Sequence, residues 1–227
     1  MSELEQSLTD LRARIAAFEA RYGRPPGSVR LLAVSKTKPP SAVASAYALG
    51  QRDFGENHLQ DAQPKLDALA DLDIIWHFIG PIQSNKTRPI AARFAWVQSV
   101  DRLKIATRLN DQRPAHMPPL EVCIQVNISG EHSKSGIDPA NLAGLAACIG
   151  KLPRLRLRGL MAIPRPANDF DTQRKPFRSL RTLLEQLNRS GYALDMLSMG
   201  MTDDLEAAIA EGATLVRVGT AIFGART

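Results

Sequence analysis

Lys36 is the residue of this sequence whose type and position most strongly suggest chemistry. It ends the apolar run LLAVSK, and prolines at positions 39 and 40 follow shortly after it. This pattern predicts a buried parallel strand that passes into a helix. Because an ammonium group is costly to bury, such a lysine either reaches solvent or lies in a cleft, where its amine can act as a nucleophile. On this residue alone, a surface lysine is the simpler interpretation.

Two glycine turns near the C-terminus suggest an anion site. Gly200 follows Ser198 by two positions, and Thr220 directly follows Gly219. Glycine allows the backbone to approach a ligand closely, and free N–H groups at the start of a helix attract an anion. With Ser198 and Thr220 as hydroxyl donors, two adjacent turns of this kind would hold a phosphate. The alternative is that these glycines only make tight turns.

An amine and a phosphate site together indicate a phosphorylated carbonyl compound. Pyridoxal phosphate (PLP) fits, because the glycine turns would anchor its phosphate while its aldehyde forms an imine, or Schiff base, with Lys36. A Schiff-base aldolase fits the same logic, with the lysine attacking a sugar ketone instead. Both interpretations stay open on these residues.

Eight apolar segments have the length and composition of strands, and they would position these groups. The second segment is short and only weakly apolar. The predicted strands span residues 31–35, 52–55, 74–79, 94–100, 121–128, 155–163, 194–199 and 214–219.

Helix signals separate several of these segments. Each consists of a starting residue, a leucine face or a glycine just past the end. The residues concerned are Pro40 with Gly50; Asp138 with Gly150; Leu180, Leu183, Leu184 and Leu187 before Gly191; and Asp203, as a cap with Glu206, before Gly212.

Strands that alternate with helices predict an α/β fold of parallel strands, and eight such units close into a (β/α)8 TIM barrel. An open doubly wound sheet is the alternative, but no G-x-G-x-x-G motif follows the first strand. Barrel sites lie at the C-terminal ends of the strands, often with a phosphate held after the last two. Strands one and eight are neighbours in a barrel, so Lys36 and Gly219 would face one ligand.

The chain of 227 residues has the size of one barrel, so we expect a single domain over residues 1–227. Residues 1–22 add an amphipathic helix packed on that domain, because apolar residues recur there at helical spacing. These residues are Leu4, Leu8, Leu11, Ile15 and Phe18.

Composition and charge narrow the class of partner. The formal net charge of +6 is spread along the chain, which favours a solvated surface over a nucleic-acid site. Cys123 and Cys148 have no metal-ligand spacing, so we expect both to be reduced and buried and no metal to be bound. Without a signal peptide or an apolar stretch of about 20 residues, the expected location is the cytoplasm, with no membrane partner.

The sequence resembles a known family, the pyridoxal phosphate homeostasis proteins, which are single-domain relatives of the alanine racemase barrel. The matching motifs occur in order along nearly the whole chain. They are LAVSKTK at 32–38, FGEN at 54–57, WHFIGPIQSNK at 76–86, NI at 127–128, SKSG at 133–136, RGLMAIP at 158–164, SMGM at 198–201 and residues 216–226.

The resemblance implies a role for each matching residue. It implies that Lys36 carries PLP as an internal imine, that Arg217 faces the pyridine nitrogen and that Asn57 lies beside the ring. His77 and Met161 are implied as wall residues, although a hydrogen-bonded core histidine is an equal alternative for His77. The residues implied to contact the phosphate are Ser198, Gly200, Gly219 and Thr220.

The resemblance also implies a carrier rather than an enzyme. An arginine at the pyridine nitrogen disfavours ring protonation, which weakens the cofactor as an electron sink. A racemase needs a second base, yet Tyr22, Tyr47 and Tyr192 are not predicted at strand ends. We therefore expect a monomer that lacks the dimer-building domain of alanine racemase. We expect this monomer to supply PLP to apo-enzymes or to buffer it. The alternative is a PLP-dependent amino-acid racemase or lyase with a reduced active site. Lys134 is a candidate for a secondary imine or phosphate contact with PLP.

Overall fold

A closed barrel forms the centre of the computed structural model, which describes residues 2–130 and 135–224. Its strands are β1 (Arg30–Val34), β2 (Asp53–Glu56), β3 (Ile75–Phe78), β4 (Trp96–Val100), β5 (Leu120–Gln125), β6 (Leu155–Met161), β7 (Met196–Ser198) and β8 (Leu215–Val218). Each strand pairs in parallel with the next, and β8 closes the barrel by pairing with β1. The predicted (β/α)8 barrel is therefore confirmed.

All eight predicted strands are present, but two of them end at least two residues earlier than predicted. β5 ends at Gln125 rather than at residue 128, and β6 ends at Met161 rather than at residue 163. The apolar pattern continues past both ends because Val126 and Ala162 stay buried in the loops that follow. Burial therefore extends beyond the hydrogen-bonded strand at this end of the barrel.

Helices connect the strands and surround the barrel. They are α1 (Glu3–Arg21), α2 (Pro40–Ala48), α3 (Leu59–Ala68), α4 (Thr87–Arg93), α5 (Leu103–Gln112), α6 (Leu142–Ile149), α7 (Phe170–Arg189), α8 (Leu205–Ala210) and α9 (Thr220–Phe223). The sequence did not identify α3, α4 or α5 individually, and the prolines at positions 64 and 89 are helix-breaking signals within two of them. No helix in the described ranges combines the length and hydrophobicity of a membrane span.

The predicted capping of α8 by Asp203 is wrong. α8 begins at Leu205, and its N-cap residue, Asp204, makes no side-chain capping bond. The Asp204 carboxylate instead accepts a hydrogen bond of 2.6 Å from the backbone N–H of Met201. Burial raises the pKa of Asp204, against the attraction of Arg217. Asp204 thus stabilises the loop between β7 and α8 rather than the helix itself.

The predicted amphipathic N-terminal helix is confirmed as α1, which packs against α8 and α9. It begins with a capping box, in which the side chains of Ser2 and Glu5 each accept a hydrogen bond from the other's backbone N–H. Leu8, Leu11 and Ile15 form its buried face. The helix therefore covers apolar surface beside the last helices of the chain.

Inward-facing side chains fill the interior of the barrel. Cys123 is one of them, and burial raises the pKa of its thiol to about 12. Cys148 on α6 is only half-buried, contrary to expectation, and both cysteines are free. The interior cluster consists of Leu32, Trp96, Cys123, Met161, Met196 and Leu215.

Glu19, near the end of α1, ties this helix to the loop that enters β1. Its buried carboxylate accepts hydrogen bonds from the backbone N–H groups of Gly27 at 3.0 Å and Val29 at 2.7 Å. The Ser28 hydroxyl donates a third bond of 3.4 Å. Because an unpaired buried donor is costly, the loop conformation depends on this one side chain.

Replacing Glu19 with alanine should lower the free energy of unfolding by about 2–3 kcal/mol, because two backbone donors lose their acceptor. Urea unfolding followed by circular dichroism measures this change. Arg14→Ala, at an exposed position of the same helix, is the control and should change it by less than about 0.5 kcal/mol. A Glu19→Ala effect no larger than that of the control would contradict the assigned role.

Candidate functional site

A cleft of about 480 Å³ opens at the C-terminal ends of the strands. Its walls come from the segments that follow β1, β2, β3, β6, β7 and β8. Five of the seven residues predicted to contact a cofactor line it, and they come from the first, second and last strands. These residues are Lys36, Asn57, Arg217, Gly219 and Thr220.

Lys36 enters the cleft from a sharp turn after β1. Thr37 has a positive φ of 66°, which is rare for a β-branched residue. The backbone N–H of Lys38 donates a hydrogen bond of 3.1 Å to the carbonyl oxygen of Ser35. Among the described residues, the Lys36 amine makes no hydrogen bond and no ion pair. The amine is therefore available to a ligand.

A buried ion pair fixes the ends of β1 and β2 beneath this turn. Lys65 Nζ on α3 donates hydrogen bonds of 2.7 Å to the Glu56 carboxylate and to the Ser35 carbonyl oxygen. The Ser35 hydroxyl donates to the same Glu56 oxygen at 2.6 Å. The Lys65 and Glu56 side chains are only 4% and 0% exposed. Ser35 directly precedes Lys36. Glu56 directly precedes Asn57, so the pair sets the backbone position of both site residues.

Two buried oxygen atoms beside this pair have no hydrogen-bond partner within the described part of the chain. They are Oε2 of Glu56 and Oδ1 of Asn57. Burial raises the pKa of Glu56, against the opposing effects of Lys65 and Ser35. Buried polar atoms are normally paired. Asn57 itself lines the cleft, but this oxygen is covered by neighbouring atoms.

Arg217 extends from β8 to the cleft, and only 4% of its surface is exposed. Its Nη1 donates a hydrogen bond of 2.7 Å to the Ser198 hydroxyl, and its Nη2 donates one of 2.9 Å to the Ala162 carbonyl oxygen. Burial lowers the pKa of Arg217 to about 10, against the attraction of Asp204. A guanidinium group offers donors and no acceptor. Arg217 therefore brings a positively charged hydrogen-bond donor to the cleft, and two hydrogen bonds fix its position.

Ser198 and Gly200 lie behind the cleft lining, where both contact Arg217. The fully buried Ser198 hydroxyl accepts from Arg217 and donates to Gln98 Oε1 at 2.5 Å. Gly200 has a φ of 94°, and an added Cβ would lie 2.5 Å from the Cβ of Ala208. Its carbonyl oxygen accepts a bond of 2.9 Å from the Arg217 backbone. The phosphate contacts predicted for Ser198 and Gly200 stay predictions.

Gly219 and Thr220 form the turn between β8 and α9. An added Cβ at Gly219 would lie 3.0 Å from the carbonyl oxygen of Val34, so glycine allows β8 to end close against β1. Because α9 begins at Thr220, its first backbone N–H groups have no partner within the helix. The turn therefore presents donors on the same cleft that Lys36 enters.

His77 and Met161 lie in the barrel interior, and neither is among the cleft-lining residues. His77 is fully buried, and its Nε2 lies 2.9 Å from Asp53 Oδ1. Its Nδ1 lies 2.9 Å from Gln98 Nε2, and its ring stacks on Trp96 with centroids 5.4 Å apart. The structure thus favours the alternative of a hydrogen-bonded core histidine over a wall residue.

Lys134, the possible secondary contact, lies outside the described residues. Within residues 2–130 and 135–224, no group of three or more histidine, cysteine or acidic side chains could hold a metal ion.

A second cavity, of about 490 Å³, lies beside α1 at the opposite end of the barrel. Its main polar side chains already have partners in the protein. Glu19 accepts from the loop before β1, Arg12 donates to the Leu49 carbonyl oxygen, and Gln51 donates to that of Leu31. We therefore take the cleft with Lys36 as the functional site.

Replacing Lys65 with methionine should lower the free energy of unfolding by about 3–5 kcal/mol, because Glu56 would stay buried without its cation. Urea unfolding at pH 7 tests this. The double variant Lys65→Met/Glu56→Gln should recover part of the loss, since a glutamine carries no charge and still accepts from Ser35. A single variant as stable as the wild type would show that the ion pair does not support the site.

Comparison with known proteins now places the chain among its relatives. Residues 6–227 match the family model described as alanine racemase, N-terminal domain. The chain is 61% identical over 226 residues to a protein of Pseudomonas aeruginosa, covering 100% of this chain and 97% of that one. It is 53% identical over 229 residues to a protein of Escherichia coli, covering 100% and 98%. Both relatives are named pyridoxal phosphate homeostasis protein.

Solved structures agree with the sequence matches. PipY of Synechococcus elongatus, solved with PLP bound, is 37% identical to this chain and superposes with a TM-score of 0.87. The match covers 98% of this chain and 100% of PipY. Alanine racemase of Corynebacterium glutamicum is 16% identical and has a TM-score of 0.70. The match covers 95% of this chain and 61% of the racemase, and at this low identity it shows the fold alone. The chain therefore belongs to the pyridoxal phosphate homeostasis protein family, which is built on the barrel of the alanine racemase N-terminal domain.

Proposed function

We propose that this protein binds PLP in the cleft, holds it covalently through the Lys36 amine, and supplies or buffers it in intracellular PLP homeostasis. The observation that carries the proposal is the unpartnered Lys36 amine, which shares one cleft with a held arginine and a glycine turn. PLP supplies an aldehyde that forms an imine with an amine. The family membership and the PLP-bound PipY structure support the same cofactor.

The cleft residues fit the separate parts of this cofactor. The donors at Gly219 and Thr220 suit a phosphate, because backbone N–H groups and a hydroxyl are typical phosphate ligands. Oδ1 of Asn57, which has no partner in the described structure, is an acceptor that a hydroxyl or an imine N–H of the bound group would satisfy once the side chain turns toward the cleft. Lys36 and Arg217 complete the set as the covalent anchor and the partner of the ring nitrogen.

Arg217 favours a carrier over an electron-sink enzyme. An acidic residue at the ring nitrogen would stabilise a proton there, whereas a guanidinium group repels one and offers only donors. The bonds from Arg217 to Ser198 and Ala162 hold this cation in place. The pocket therefore favours an unprotonated ring nitrogen.

The described part of the cleft offers few side chains that could act as the second base of a racemase. Tyr22 donates to Glu206 at 2.8 Å, and Tyr47 stacks with Arg52 at 4.0 Å. Neither of these tyrosines lines the cleft, nor does Tyr192. The remaining charged residues of the described lining are Lys38 and Asp203. We propose that the protein acts as a monomeric, cytoplasmic carrier that delivers PLP to apo-enzymes rather than catalysing a reaction of its own.

Replacing Lys36 with alanine should abolish covalent PLP binding. The purified wild type, loaded with PLP, should show a yellow imine band that disappears on borohydride treatment and leaves the label on a Lys36 peptide. Lys38→Ala, two positions further along the same turn, should keep both the band and the label. The assignment is wrong if the Lys36→Ala variant retains an unchanged band and is labelled at the same level.

A racemase or lyase is the second candidate function, favoured by Lys38 and Asp203 as possible bases at the cleft. Incubation of the loaded protein with amino acids in heavy water separates the two functions. For the carrier we expect Cα deuterium exchange far below the turnover rates of about 1 per second or more that enzymes show. Exchange at turnover rates, lost in Lys36→Ala, would establish the enzyme instead.

A further inference from the structure

We propose that a directional chain of hydrogen bonds through the barrel interior orients Arg217, and that Gln98 and His77 are positioning residues of the PLP site. This inference rests on the proposed function, because Arg217 is taken as the partner of the cofactor ring. Neither Gln98 nor His77 lines the cleft, so both would act through Arg217.

The chain joins five side chains from five strands. Arg217 Nη1 lies 2.7 Å from Ser198 Oγ, which lies 2.5 Å from Gln98 Oε1. Gln98 Nε2 lies 2.9 Å from His77 Nδ1. His77 Nε2 lies 2.9 Å from Asp53 Oδ1. The chain therefore runs from the cleft, across the interior between β7 and β4, to the opposite end of β2.

The chemistry of arginine determines the direction of every bond. Arg217 can only donate, so Ser198 Oγ accepts from it and uses its own hydrogen toward Gln98 Oε1. The Gln98 amide nitrogen then faces His77, whose Nδ1 must accept. The His77 proton consequently sits on Nε2 and is donated to the Asp53 carboxylate. All four bonds point the same way, and aligned bonds of this kind strengthen one another.

The surroundings of His77 support the neutral form that this order requires. The charged groups that act on the ring are Asp53 on β2 and Arg30 on β1, whose Nη1 lies 3.6 Å from Asp53 Oδ1. Trp96 covers the face of the ring. Burial lowers the pKa of His77, although Asp53 opposes this effect. A second proton on Nδ1 would face the Gln98 amide nitrogen, which is also a donor, and would break the chain at this bond.

The chain gives Arg217 an orientation that the backbone alone does not provide. Without Ser198 and Gln98, the only other described hydrogen bond of the guanidinium is the one from Nη2 to the Ala162 carbonyl oxygen. A long side chain held at one point loses its fixed geometry, and fixed geometry is what a pocket needs to recognise a ring nitrogen. We therefore expect loss of the chain to weaken PLP binding while Lys36 still forms its covalent link.

Gln98→Leu and Gln98→Glu test the inference as a pair. Leucine removes the link and leaves the Ser198 hydroxyl without its acceptor, so Arg217 loses its fixed position and the dissociation constant for PLP should rise about tenfold or more. Glutamate still accepts from Ser198 and draws a second proton onto His77, so it should retain near wild-type affinity. Gln125→Leu replaces another buried glutamine, outside the chain, and should leave the affinity unchanged. In an Arg217→Met background, Gln98→Leu should have no further effect.

Two results would overturn the inference. One is a Gln98→Leu variant that loses thermal stability but binds PLP like the wild type. The other needs no ligand and no variant: ¹⁵N spectra of the wild-type protein at pH 7 that place the His77 proton on Nδ1. A wild type that forms no borohydride-sensitive band would instead refute the proposed function, so the two failures are distinguishable.

Discussion

The pairing of β1 with β8 is the interaction on which the candidate site depends. In this register Leu32 lies opposite Arg217 and Ala33 lies opposite Val218, so the first and last strands end at the same level. Lys36 and the Gly219 turn, which are far apart in the sequence, therefore meet at one edge of the barrel. An open sheet would leave them on separate edges, and neither group alone would define a ligand.

Much of this architecture could be predicted from the sequence, because it follows from local patterns. Apolar runs of strand length identified all eight strands, and the order of strands and helices then required Lys36 and Gly219 to be neighbours. The ends of the strands were less accurate, since residues such as Val126 and Ala162 are buried without being part of a strand. Hydrophobicity reports burial, and at the mouth of a barrel burial continues into the loops.

The polar interior could not be predicted, because it depends on register between strands that are distant in the sequence. In the sequence, Lys65 has the pattern of an ordinary helix lysine. Its buried ion pair with Glu56 becomes evident only when α3 is packed against the ends of β1 and β2. The sequence also gives no sign that the Ser198 hydroxyl lies between Gln98 and Arg217. Side chains of these types are costly to bury unless every partner is in place. Their pairing is therefore a property of the closed barrel and not of any single motif.

The two buried networks have complementary effects on the cleft. Lys65 and Glu56 pair on the outer side of the barrel wall and hold the backbone before Lys36 and Asn57. The chain from Arg217 to Asp53 lies in the barrel interior and holds a side chain. Neither network uses the Lys36 amine or the Asn57 side-chain oxygen, and both of these groups have no protein partner in the described structure. A pocket whose backbone and arginine are held from behind needs little ordering when a cofactor binds. This preorganisation lowers the cost of binding PLP, the cofactor of the proposed function.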